Sequence, residues 1–182
     1  MQTKFKLAFD PEVIKIEELA REYDGVNTDK KTEDRIIDEV GPRTKANGYY
    51  TKEDFLCLCL WKTPRTQHHC ERNDESFIRE TTRFSLETPE ERLRIEVLTL
   101  LDGVGWPTAS VLLHFGHRER YPILDYRALE SLSSSEPNQY TFPFWWDYVT
   151  TCRGLADRYG VSMRTLDRAL WQHSARSKSP RV

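Results

Sequence analysis

The stretch Leu101-Asp102-Gly103-Val104-Gly105-Trp106-Pro107-Thr108-Ala109-Ser110 decides how this chain folds. Two glycines one residue apart, with helical periodicity on both sides, ask for a tight hairpin between helices rather than a strand turn. Upstream, Thr88-Pro89-Glu90-Glu91 combines a capping threonine, a proline suited to the first helical position and a glutamate that can reach back to the cap amide. This predicts a helix to Leu101 that buries Leu93, Val97, Leu100 and Leu101. Downstream, a second helix is predicted to start at Pro107, to carry Val111, Leu112 and Phe115, and to end at Gly116. Beyond it lies an acid, Asp125, in Tyr121-Pro122-Ile123-Leu124-Asp125-Tyr126-Arg127-Ala128-Leu129.

Further out, Asp10-Pro11 predicts the cap and first turn of an amphipathic helix with Val13, Ile16, Ala20 and Tyr23, closed by Asp24-Gly25. A short helix with Ile36, Ile37 and Val40 is expected to stop before Gly41-Pro42, and Lys45-Ala46-Asn47-Gly48 reads as a loop. Thr51 with Asp54 opens a buried helix through Phe55 to Trp61, which Pro64 ends. Residues 66–71 are polar, and Phe77, Thr81 and Phe84 mark another helix. A loop at residues 133–138 leaves room for two lobes. Trp145, Val149, Cys152, Ala156 and Tyr159 then define a helix, and Ser162 caps a last one with Leu166, Leu170 and Trp171. Residues 174–182 are expected to fray. With no strand pattern, the fold class is all-α: a single helical domain over residues 1–182, or two small helical lobes, with the hairpin core at about residues 88–132.

The 182 residues suffice to bury a core without staples. A charged fraction of 31% beside 38% hydrophobic residues fits a globular chain. No run approaches the roughly eighteen apolar residues of a membrane span, and no secretory core follows Met1, so a cytoplasmic monomer without membrane contact is expected. Cys57, Cys59, Cys70 and Cys152 show no disulfide framework and are expected as reduced thiols. A net charge of -2 does not advertise nucleic-acid binding, but the charge is uneven. Arg153, Arg158, Arg164, Arg168, Arg176, Lys178 and Arg181 outweigh Asp157 and Asp167, which makes the C-terminal part the better candidate for meeting phosphates.

A glycine hairpin exposes backbone N–H groups at the head of the second helix, where the dipole is positive. Such a place suits a phosphate, and glycine lets a nucleic-acid backbone come close without reading its sequence. An ordinary helix-helix turn has the same look. Leu-x-Gly-Val-Gly-x-x-Thr-Ala, an apolar helix and an acid about twenty residues beyond the hairpin together resemble the helix-hairpin-helix DNA glycosylase superfamily, over roughly Glu90 to Leu132. The resemblance implies that Gly103, Val104, Gly105 and Thr108 grip double-stranded DNA. It also implies a monovalent cation on loop carbonyls and an Asp125 that assists cleavage of the N-glycosidic bond. An acid is wanted there because losing a base leaves an oxocarbenium-like sugar, which a carboxylate stabilises while it orients or deprotonates water. Asp125 is equally well placed to cap a helix from Tyr126 to Leu132.

Members that also cut the strand carry a lysine where this chain has Pro107, so the resemblance implies a monofunctional enzyme that leaves an abasic site. Lys62, after Trp61 at a helix end, is the reserve candidate for a lyase, against a plain solvated helix-end lysine. Cys152 is the one cysteine after Asp125, which excludes the family's iron-sulfur cluster. His68-His69-Cys70 makes a poor metal site because adjacent residues rarely converge on one ion, so no metal and no other cofactor is expected. A base taken out of the stack needs aromatic walls. Trp61, Trp106 and Tyr126 are the candidates, with Arg65 and Arg127 as phosphate or nucleotide contacts or as solvated charges. Asp102 stands where members often carry proline, a carboxylate next to the expected phosphate. The resemblance extends to compact anti-phage glycosylases that excise glucosylated hydroxymethylcytosine. A non-catalytic helix-hairpin-helix DNA-binding module is the alternative.

Overall fold

The computed structural model describes residues 5–12 and 14–178. The regular elements among them are helical, and none of these helices is long and apolar enough to cross a membrane. Two compact units form: a terminal unit of Met1–Thr28 with Pro122–Val182, and a central unit of Asp29–Tyr121. The loop at residues 133–138 lies inside the terminal unit, not at a boundary between lobes.

The terminal unit begins with α1 (Ile16–Val26). Asp10 does not cap it. Its Oδ1 accepts from Glu12 N–H at 2.9 Å and its carbonyl accepts from Ile14 N–H, a local turn that keeps the chain off the helix until Lys15. Gly25 is inside α1 rather than its stop, and Val13 lies outside the described residues.

The central unit opens with α2 (Lys30–Arg35), a π turn (Ile36–Val40) and α3 (Gly41–Asn47) in one continuous run. The expected stop at Gly41-Pro42 and the expected loop at residues 45–48 are therefore overturned. Pro42 has no N–H and its ring crowds the carbonyl four residues back. The wide π turn absorbs that mismatch, and Gly48, at φ +76°, ends the run in the left-handed region.

Next, α4 (Lys52–Lys62) starts as expected, with Thr51 accepting from Asp54 N–H at 3.2 Å. The Asp54 carboxylate turns to Arg43 (2.6 and 2.9 Å) instead of the cap. Phe55, Leu58 and Cys59 are buried whereas Leu60 is exposed. The polar stretch at residues 66–71 is mostly helical: a 3-10 turn (Pro64–Thr66) runs into α5 (Gln67–Cys70).

On α6 (Glu75–Glu87), Ile78, Thr81, Thr82 and Ser85 face inward while Phe77 and Phe84 face solvent. Then come α7 (Glu91–Glu96) and a 3-10 turn (Val97–Leu100). The start is later than Pro89, because Thr88 Oγ1 accepts from Glu90 N–H and Glu91 accepts from the Tyr121 hydroxyl (2.7 Å) rather than returning to the cap. Arg94, Ile95, Leu98 and Leu101 are buried; Leu93 is 48% and Leu100 64% exposed. Finally α8 (Trp106–Gly116) is buried on all sides from Thr108 to Leu113, as expected of a helix apolar all round. Gly116 is required because a Cβ there would stand 2.6 Å from the Tyr50 hydroxyl, itself bonded to Leu112 O.

Back in the terminal unit are α9 (Tyr126–Ser131), α10 (Phe142–Tyr159) and α11 (Met163–Lys178). Gly160 closes α10 at φ +64°, with Val161 N–H returning to Ala156 O, the Schellman arrangement. Ser162 caps α11 through Thr165 N–H (3.0 Å). The expected fraying from residue 174 is overturned: Ser174 is buried and donates to Glu130. Residues 179–182 lie outside the described residues. Phe5, Leu19, Leu129, Trp145, Val149, Cys152, Leu166 and Leu170 form the core of this unit. Each such side chain contributes roughly 1.5–3 kcal/mol of apolar burial.

Candidate functional site

The hairpin is a turn closed by Val104 N–H on Leu101 O at 3.0 Å, with Gly103 at φ +80°. That is the position where such a turn demands a left-handed residue. A Cβ on Gly103 would also lie 2.6 Å from Cys70 Sγ, 2.9 Å from Cys70 N and 3.0 Å from Thr66 O. The turn is thus pressed against α5. Asn73 fastens it there: its Nδ2 donates to Cys70 O (2.9 Å) and Asp102 O (3.0 Å), and its Oδ1 accepts from Asp102 N–H (2.8 Å). The Asp102 carboxylate is turned to Arg72 at 3.6 Å, which partly offsets its charge.

Gly105 caps α8, is exposed, and meets nothing closer than Pro107 Cδ at 3.8 Å. The first-turn N–H groups of a helix have no partner within it. The contacts expected of Val104 and Thr108 need correction. Val104 is buried and its N–H closes the turn. Thr108 is 3% exposed, its hydroxyl 3.4 Å from Thr63 Oγ1. Both shape the hairpin from inside; Gly103 is half-buried against α5 and Gly105 is exposed.

Trp61 and Lys62 are the last residues of α4, half-buried, and the following Thr63 is the one that meets Thr108. The Trp61 ring packs edge-on against Phe115 at 5.8 Å, so it braces α8. Arg65 is exposed on the 3-10 turn and Trp106 is half-buried at the head of α8. Trp61, Lys62 and Arg65 therefore share the central unit with the hairpin. Asp125, Tyr126 and Arg127 belong to the terminal unit.

Asp125 caps α9, its Oδ1 accepting from Arg127 N–H at 3.0 Å. The extended stretch before it is held at Ile123, whose N–H meets Asp167 (3.2 Å) and whose carbonyl accepts from the Tyr148 hydroxyl (2.7 Å). Tyr126 is exposed. Arg127 is not a solvated charge: its guanidinium lies 5.2 Å from the Tyr126 ring centre and 4.8 Å from that of Trp171, with Nη1 enclosed and without a hydrogen-bond partner.

The four cysteines are free thiols. Cys59 hydrogen-bonds to Cys70, which together with Thr66 holds the Cys70 thiol down to about 7 against the effect of burial, while Cys59 is pushed up. His68 and His69 are tilted ring on ring 3.9 Å apart, and His69 Nδ1 meets Arg72. Cys70 points into the core instead, so the three do not converge. In the hairpin, the Leu101 carbonyl accepts from Val104 N–H and the Asp102 carbonyl from Asn73 Nδ2.

Asn73, Asp167 and Tyr148 are the residues that the sequence pattern does not single out. Each acts on a backbone group 25 to 44 positions away, and no local spacing encodes such a partnership. Comparison of the chain with protein families, curated proteins and solved structures finds no match in any of the three.

Proposed function

We propose that this chain is a monofunctional DNA N-glycosylase of helix-hairpin-helix type that extrudes a damaged or modified base and hydrolyses its glycosidic bond. The observation that carries this reading is the hairpin itself: a left-handed Gly103, fastened by Asn73, delivers an exposed Gly105 to the head of an eleven-residue helix. A phosphodiester docks there on backbone N–H groups and dipole. Asp125 then stabilises the oxocarbenium-like sugar and receives a proton from the attacking water, leaving an abasic site. Capping through Oδ1 is compatible with this, since a carboxylate accepts several hydrogen bonds. Pro107, without an amine, supports hydrolysis over lyase chemistry.

The test is release of free base from duplexes carrying deaminated, alkylated, oxidised or glucosylated hydroxymethylcytosine bases. Release by the wild type, lost about 100-fold or more in Asp125→Asn, is expected. Inactivity on the whole panel, or full activity of Asp125→Asn, would sink the reading.

A non-catalytic DNA-binding module is the second reading, favoured by the Asp125 cap on α9. It expects salt-sensitive binding to duplex DNA without base release. Lyase action through Lys62 is favoured only by its place one residue before Thr63, which meets Thr108 on the hairpin's second helix. Borohydride trapping of a covalent adduct, absent in Lys62→Ala, is its test.

A further inference from the structure

We propose that Asp167 and Tyr148 are positioning residues for Asp125, an assignment whose catalytic meaning rests on the reading of Asp125 given above. Asp167 is 5% exposed, and its Oδ1 and Oδ2 accept from Ile123 N–H at 3.2 and 3.3 Å. From α10, the Tyr148 hydroxyl donates to Ile123 O at 2.7 Å. Residues 122–125 are neither helical nor paired in a ladder. Backbone groups in such a segment ordinarily turn to water or to another strand. Here two side chains from different helices, α11 and α10, hold one peptide residue from both sides.

A carboxylate oxygen makes a strong acceptor for a backbone N–H. Ile123 is two residues before Asp125, and Asp125 is fixed on its other side by its own bond to Arg127 N–H. Between the two anchors lies only Leu124, which is wholly buried. The Asp125 carboxylate is therefore held fore and aft. The Tyr148 hydroxyl remains a donor at any working pH, because burial first, and then the nearby Cys152, Asp167 and Asp125, push its ionisation well above the usual value. A misplacement of about 1 Å at a reacting group costs on the order of 100-fold in rate, which is what this cradle prevents.

The experiment uses the full chain with Tyr148→Phe, which deletes one hydroxyl, Asp167→Ala, which deletes the acceptor, and Asp167→Asn, which keeps an acceptor oxygen. Amide hydrogen exchange at residues 123–127 is expected to speed up about tenfold or more in Tyr148→Phe and Asp167→Ala, and to stay near wild type in Asp167→Asn. Single-turnover base release, from whichever panel duplex the wild type processes, is expected to fall about 10- to 100-fold in the first two variants. Asp167→Asn should restore most of it, and affinity for a duplex with a tetrahydrofuran abasic analogue should stay within about twofold throughout. Wild-type exchange and wild-type release in Tyr148→Phe overturn the proposal, as does an equal loss of DNA affinity and release. If the wild type releases no base, the reading of Asp125 falls, and the exchange measurement alone then decides whether Asp167 and Tyr148 hold this segment.

Discussion

Gly103 and Gly105 look alike in the sequence and serve opposite needs. Gly103 is required by the fold: its φ of +80° disfavours any other residue, and a Cβ would strike Cys70. Gly103→Ala is expected to cost at least about 2 kcal/mol in urea unfolding. Gly105 has open space and ordinary backbone angles, so Gly105→Ala should stay within about 0.5 kcal/mol of wild type. On the proposed reading a methyl there would stand between the helix head and a bound phosphate, so duplex affinity measured at fixed salt should fall. Equal stability with unchanged affinity would remove Gly105 from the DNA surface. Asn73→Ala orphans the Asp102 N–H and carbonyl together, and a loss of about 2 kcal/mol is expected, read by urea unfolding and by faster exchange of the Asp102 amide. Both glycines were legible as a hairpin; which one is structural depended on Cys70 and Thr66, more than thirty residues upstream.

Among the elements, α7 shows how a strong start signal can carry the wrong phase. Apolar spacing points to Leu93, Val97, Leu100 and Leu101 as its inner face; Leu101 is buried as expected, yet Leu93 and Leu100 are exposed and Arg94 is buried. The cause is the end of α6, whose last carbonyls need donors. Arg94 supplies them, bonding Ser85 O (2.9 Å), Leu86 O (3.2 Å) and Thr88 O, and it also meets His117 Nε2 at 2.7 Å. Pulling one arginine inward rotates the helix by about one residue, roughly 100°. Arg94→Met keeps the stem but strands those carbonyls, and should lower unfolding free energy by at least about 2 kcal/mol. Leu100→Gln, at what the pattern names a core position, should change it by less than about 0.5 kcal/mol. Thermal or urea unfolding of the two variants separates the phases, and the reverse order would restore the apolar one.

At the scale of the molecule, the terminal unit is assembled from the two ends of the chain, and its stability is linked to pH through His173. The His173 ring stacks on Phe9 at 4.5 Å and its Nδ1 meets Ser131 Oγ at 2.9 Å. Burial, and then Arg176, lower its pKa below the usual 6.5. The folded form thus binds this proton less tightly than the unfolded chain. Its contribution is intact above about 6.5 and is lost as pH falls through that value towards the folded pKa. Melting temperatures between pH 7.5 and 5 should decline, and His173→Gln should flatten the decline; an unchanged slope would exclude His173 as its source. The sequence alone determined the helical class, the hairpin between two helices and the caps at Thr51, Ser162 and Asp125. These are local matters of φ, capping and periodicity, complete within a few residues. Only the tertiary structure decided that a proline-bearing run stays helical through a π turn, that Arg94 is buried while Leu93 and Leu100 are exposed, and that Asn73 and Asp167 clamp distant peptides. Those outcomes depend on satisfying backbone groups and filling space between segments far apart in the chain, which no local spacing records.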